Sequence, residues 1–211
     1  MAAETIILVH GLWMTGSEMS LLKRRLRVHD FEVHQFRYRM LTKTLDHNCA
    51  KLKDFIESHA AERLHIIGHS LGGVLALQTL QAYPDLPVMS VICLGSPLVD
   101  SAAGRRASLN GAGRIILGKT LPEAVFEAPL GAWRGPQKVG VIAGTRGFGL
   151  GNFVGNALPK PNDGVVALVE TCLPGIEYHL EVPVSHAGLV LSAKVASQCG
   201  WFIRHGHFQH P

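Results

Sequence analysis

Apolar positions along the chain fall into two patterns that alternate. Short runs dense in β-branched and aliphatic residues occur at 5–9 (Thr5-Ile6-Ile7-Leu8-Val9), 63–67, 88–94 and 139–143. Each is long enough for a strand and apolar enough to be buried, and the apolar 5–9 run suits the centre of a parallel sheet covered on both faces. The run at 31–38 alternates apolar and polar residues and reads as a strand nearer an edge, and 178–182 reads as a last strand. Between these runs the apolar residues recur at helical spacing. The predicted helices cover 17–28, 45–60 (Leu52, Phe55 and Ile56 on one face), 74–82 stopping near Pro84, a short one at 168–172, and a closing one at 194–203. Strands alternating with helices predict an α/β architecture with a mostly parallel sheet and helices on both faces. Residues 96–136 break the rhythm and read as an irregular or helical excursion over the sheet, and a Gly-rich loop follows from 144 to 163. No internal repeat or linker is visible, so 1–211 is expected to form a single domain with 96–136 as a cap or insertion.

Composition narrows the function classes. Hydrophobic residues make up 47% of 211 and charged residues 17%, as in a globular protein with a substantial core. The net charge of +4 is dispersed: Lys23-Arg24-Arg25 and Arg27 lie on one predicted helix, Arg105-Arg106 elsewhere, and no aromatics interleave with them. That pattern fits solvated helix faces and argues against a nucleic-acid partner. Cys49, Cys93, Cys172 and Cys199 are too scattered for a zinc cluster or a C-x-x-C redox pair, and His205, His207 and His210 read as a solvated tail rather than a metal site, so no metal and no cofactor is expected. The first residues carry neither the basic nor the apolar region of a leader, and no apolar run approaches the ~18 residues of a membrane span. A cytoplasmic protein with no integral membrane segment is expected, a secreted mature form being the alternative.

The chemistry is concentrated at Gly68-His69-Ser70-Leu71-Gly72, which fits G-x-S-x-G. A strand precedes it and a helix follows, the setting in which this turn lifts a serine hydroxyl clear of the sheet, with small neighbours because strand and helix pass closely. A nucleophilic serine needs a base and a group to orient that base. His186, in Pro-Val-Ser-His-Ala-Gly-Leu, follows the last strand in a Gly-containing loop and is the candidate base. Asp163, in Asn-Asp-Gly-Val-Val, follows the 139–143 strand and is the favoured acid, although the same residues are good turn chemistry; Asp100, after the 88–94 strand, is its rival. Both loops belong to the end of a parallel sheet where open α/β folds place their sites. His10-Gly11-Leu12 follows the first strand, and the backbone N–H groups of Leu12 and Leu71 are the expected donors to a developing oxyanion. Trp13, Met14 and His69 are the candidate substrate-binding residues, with apolar residues in 148–153 as further pocket candidates, although Trp13 could equally be core.

Together, Val-His-Gly-Leu-Trp, Gly-His-Ser-Leu-Gly-Gly, Asn-Asp-Gly-Val-Val and Val-Ser-His-Ala-Gly-Leu resemble the α/β-hydrolase superfamily, in its small bacterial lipase/esterase type. The motifs stand in the family order of serine, acid, histidine, which favours Asp163. The resemblance implies a minimal six-stranded α/β-hydrolase fold without the first two strands of larger members, and a Ser–His–Asp mechanism through an acyl-enzyme on a small-molecule acyl ester. Alternatives are a thioesterase or amidase with the same triad, or a non-catalytic binding module on the same fold. A P-loop pattern at 113–120 (Gly113 to Gly118-Lys119-Thr120) lacks the preceding strand and runs into Pro122, and is read as coincidence.

Overall fold

The computed structural model describes residues 4–12, 14–109, 115, 117–147 and 158–209. Six strands form one sheet in the order β2-β1-β3-β4-β5-β6: β1 (Glu4–Val9), β2 (Glu32–Phe36), β3 (Arg63–His69), β4 (Ser90–Leu94), β5 (Lys138–Gly144) and β6 (Tyr178–Val182). Every pairing is parallel, so every strand ends at the same rim. The alternating 31–38 run becomes β2, an edge strand, and the apolar runs become the strands inside it. This is the α/β-hydrolase architecture expected from the motifs, with the sheet wholly parallel.

Period-2 alternation splits each inner strand between two cores. Ile7, Val9, Leu64, Ile66, Val91, Cys93 and Val141 face a cluster with α2 (Leu45–Ser58) and α3 (Leu71–Ala82). Ile6, Leu8, Ile67, Ile92, Leu94 and Ile142 face the other side, covered by α1 (Ser20–Arg27), α5 (His186–Leu191) and α6 (Ala193–His205). Helix starts follow local capping: Thr44 Oγ1 accepts from His47 N–H ahead of α2, and Ser192 accepts from Val195 N–H ahead of α6. Gly206, with φ of 75°, ends α6 in the left-handed conformation that glycine adopts without strain.

The 96–136 segment contains α4 (Ala102–Ala107), capped by Ser101. Its later part is built into the core rather than laid over it. Leu117, Leu121, Ala124, Val125 and Leu130 are buried with α2 and α3. Asn48 Nδ2 donates to Thr120 Oγ1 at 2.8 Å, Thr120 Oγ1 donates to the Lys43 carbonyl, and Gln78 Nε2 donates to the carbonyls of Ala124 and Ala128. The threonine of the apparent P-loop pattern is therefore a structural bridge. Among the described residues no helix is long and apolar enough to cross a membrane.

The tightest packing lies where α3 starts. A Cβ on Gly72 would stand 2.2 Å from the Val9 carbonyl oxygen, and one on Gly68 2.4 Å from the Gly73 nitrogen. Because the obstacle at Gly72 is backbone, no side-chain rotation relieves it. Gly72→Ala is expected to cost roughly 3 kcal/mol and to lower the melting temperature by on the order of 10 °C in a scanning calorimeter. An unchanged melting temperature would contradict this packing.

Candidate functional site

The rim at the strand ends gathers the motif residues. Ser70 sits between β3 and α3 with φ 53° and ψ −125°, a backbone conformation that costs a non-glycine residue on the order of 1–3 kcal/mol. It is held there by its neighbours: Ser70 N–H donates to the Leu94 carbonyl at 2.8 Å, and Gly73 N–H donates to the Ser70 carbonyl at 3.1 Å. The side chain is partly exposed, although His69 before it and Leu71 after it are buried.

Asp163 and His186 meet across the ends of β5 and β6. His186 Nδ1 lies 2.7 Å from Asp163 Oδ2, and Asp163 is 1% exposed. The other carboxylate oxygen, Oδ1, accepts from Val165 N–H at 2.9 Å and Val166 N–H at 2.7 Å. The Asn-Asp-Gly-Val-Val turn thus wraps its own backbone donors around the buried Asp163 carboxylate. His186 N–H also donates to the Asp163 carbonyl at 2.9 Å. His186 is not in a loop, as the sequence reading expected; it opens α5, because Ser185 Oγ accepts from Gly188 N–H and caps a helix there. The rival carboxylate, Asp100, is engaged elsewhere, accepting from Arg105 Nε at 2.7 Å and from Ser101 N–H at 2.7 Å.

The turn after β1 closes on the elbow. A Cβ on Gly11 would come within 2.9 Å of Ser70 Cβ, so Leu12 follows a residue lying against the nucleophile motif. Leu71, first in α3, is among the helix residues whose N–H has no partner within the helix. His10 and Tyr38 support this turn from below: their rings stack at 4.6 Å, and Tyr38 OH donates to the His10 carbonyl.

Of the substrate-binding candidates, Trp13 lies outside the described residues, as do residues 148–153. Met14 is partly buried, and its thioether accepts from Gly11 N–H at 3.3 Å. His69, expected beside substrate, is instead 2% exposed, with Nε2 3.1 Å from the His186 carbonyl and Nδ1 3.2 Å from Met14 Sδ. Two further residues matter that no motif marked. Gly95, at φ 54° after β4, leaves room for the Asp163–His186 pair: a Cβ there would stand 2.9 Å from Asp163 Oδ2 and 3.2 Å from His186 Nδ1. Glu170, 5% exposed, accepts from Ala102 N–H and Ala167 N–H and ties the Asp163 loop to the start of α4. Burial raises its pKa against the effect of those two bonds, and the negative charges of Asp100 and Asp163 add to the rise. Among the described residues, no group of three or more His, Cys, Asp or Glu is arranged to hold a metal ion.

The alpha/beta hydrolase family model matches residues 6–190. The chain belongs to that family. Solved hydrolases share its fold at low identity. The mature form of the Bacillus licheniformis lipase BlEst2 superposes with a TM-score of 0.72 at 20% identity, over 96% of this chain and 91% of that one. The metagenomic carboxyl esterase MGS0156 gives 0.63 at 18%, over 88% and 65%. The pyrethroid hydrolase PytH gives 0.62 at 17%, over 97% and 99%. No curated protein sequence matches the chain. The strand order brings loops distant in sequence to one rim.

Two buried imidazoles couple the fold to pH. Burial lowers the pKa of His69 to about 3, helped by the neighbouring charge of His186, and burial lowers that of His65 to about 4. Unfolding lets both rings take up protons they refuse when folded, so acid favours the unfolded chain. Stability is expected to fall as pH drops from about 6.5, the ordinary histidine value, toward 4 and then 3. The urea midpoint should therefore be lower at pH 5 than at pH 7, before most carboxylates titrate. A midpoint unchanged between those pH values would contradict it.

Proposed function

We propose that the chain is a serine hydrolase cleaving carboxylic esters, with Ser70 as nucleophile, His186 as base and Asp163 as the group that orients it. The observation that carries this reading is the 2.7 Å hydrogen bond between His186 Nδ1 and a fully buried Asp163, built at the same rim as a serine held at φ 53°. A binding module has no use for a strained serine, whereas a nucleophile gains exposure from it.

In the proposed reaction the carbonyl carbon of the ester approaches Ser70 Oγ. His186 Nε2 takes the hydroxyl proton as the oxygen attacks, and the carbonyl oxygen becomes an oxyanion received by the N–H groups of Leu12 and Leu71. Asp163, bonded at Nδ1, keeps the imidazole in the tautomer that presents a bare Nε2 and stabilises the imidazolium once formed. The tetrahedral species collapses, the bond to the alcohol breaks, and His186 returns its proton to the departing oxygen. Water then repeats the cycle on the acyl-enzyme, with His186 taking a water proton and later returning one to Ser70 Oγ. No step calls for a metal or cofactor. The substrate class is a small acyl ester, and Met14 together with Trp13 and residues near 148–153 remain the candidates to shape the acyl pocket.

The test is a chain-length series of p-nitrophenyl esters beside a thioester and an amide, with a fluorophosphonate probe in parallel. Wild type should hydrolyse esters in preference and react with the probe. Ser70→Ala should abolish labelling and lower kcat by roughly 10³-fold or more, and Asp163→Asn should lower kcat by about 10²- to 10⁴-fold with KM little changed. Folded wild type that neither labels nor turns over any of these esters would overturn the assignment, and preference for the thioester or the amide would overturn the ester class alone.

A further inference from the structure

His69 is chemically conspicuous. It is a fully buried imidazole beside the proposed nucleophile, and the mechanism above gives it no task. With its pKa pushed down to about 3 by burial, the ring is neutral and carries a single N–H. One ring nitrogen, Nε2, lies 3.1 Å from the His186 carbonyl oxygen, and the other, Nδ1, lies 3.2 Å from Met14 Sδ. A carbonyl only accepts, and a thioether is a weak acceptor whose bond here comes from Gly11 N–H at 3.3 Å. The proton therefore belongs on Nε2, which donates to His186.

We infer that His69 is a positioning residue, whose Nε2–H pins the main chain of His186 and so fixes the base relative to the serine that follows His69 in the chain. This rests on the proposed roles of Ser70 and His186. His186 is then held from two sides, its N–H donating to the Asp163 carbonyl at 2.9 Å and its own carbonyl receiving His69. The two rings also lie 4.6 Å apart at 47°. The titratable neighbours that act on His69 are His186 and His10, both imidazoles. A neutral ring suits this place, since the neighbour must become a cation during the reaction, and a charged residue at 69 would oppose that. A side chain 2% exposed has no face to offer substrate, so the sequence-based expectation for His69 gives way to a role exerted through His186.

Three variants test this: His69→Phe, which keeps a planar ring without a donor; His69→Gln, whose amide nitrogen reaches the position of Nε2; and His69→Asn, whose shorter amide does not. Phe and Asn should lower kcat and the fluorophosphonate labelling rate by roughly 10- to 100-fold with KM unchanged, as expected when a reacting group loses its register by a fraction of an ångström. Gln should recover most of both rates. Should Phe fail to fold, the Gln–Asn contrast carries the same question. Phe or Asn labelling at the wild-type rate, or Gln no faster than Asn, overturns the inference while leaving the assignment of Ser70 intact. Failure of wild type to label overturns the assignment itself, so the two outcomes are distinct.

Discussion

The approach of α3 to the strands at Gly68, Gly72 and Gly73 is the constraint on which the rest of this structure depends. With backbone atoms standing where a Cβ would go at Gly68 and Gly72, and the Ser96 side chain filling that place at Gly73, helix and strands are joined by the single residue Ser70, which takes a positive φ. The strain there, on the order of 1–3 kcal/mol, persists because the surroundings outweigh it. Ten of the twelve residues of α3 are buried, and the serine's own N–H and C=O are both bonded. A side chain at Gly68 or Gly72 would move the helix, and with it Ser70, Leu71 and the closing turn at Gly11. The geometry of the proposed nucleophile is thus a property of the core, and the hydroxyl inherits it.

A second layer of organisation is electrostatic. Asp163 is a buried carboxylate that would be costly to charge in isolation. Two backbone donors from its own turn and the imidazole of His186 supply its partners, leaving it no freedom to rotate away. Glu170 anchors the same loop from behind through backbone donors of Ala102 and Ala167, so the acid loop and the start of the 96–136 segment are one unit. Burial lowers the pKa of both His10 and His69 beside this rim. The chain invests several buried titratable groups in holding still the few that react in the proposed mechanism.

Much of this was legible in the sequence because it is local. The β-branched runs became strands within a residue or two, and the serine turn is a conformation dictated by small neighbours four positions apart. Parallel pairing then follows from the helices between strands, which is why Asp163 and His186, 23 positions apart, were expected at one rim and are bonded there. What escaped was information carried by proximity rather than by spacing. Gly95 looks like any residue after a strand until the acid–base pair is placed beside it. Glu170 reads as an acidic residue in a short helix, and only the fold turns it inward. His69 adjoins the serine in the sequence, but β3 is covered on both faces and the fold turns the imidazole onto the main chain of His186. The α5 start at His186 was missed for a different reason: Ser185 caps a helix of only six residues, too short for periodicity to show.

In the proposed mechanism the strained serine at the end of β3 becomes a covalent acyl carrier. The most direct measurement is rapid-quench mass spectrometry of the enzyme during turnover of p-nitrophenyl acetate, followed by peptide mapping. A transient mass increase of one acetyl group located on Ser70 is expected, appearing before steady state and decaying once substrate is exhausted. Turnover with no protein adduct at any time, or an adduct on another residue with Ser70 unmodified, would contradict that mechanism.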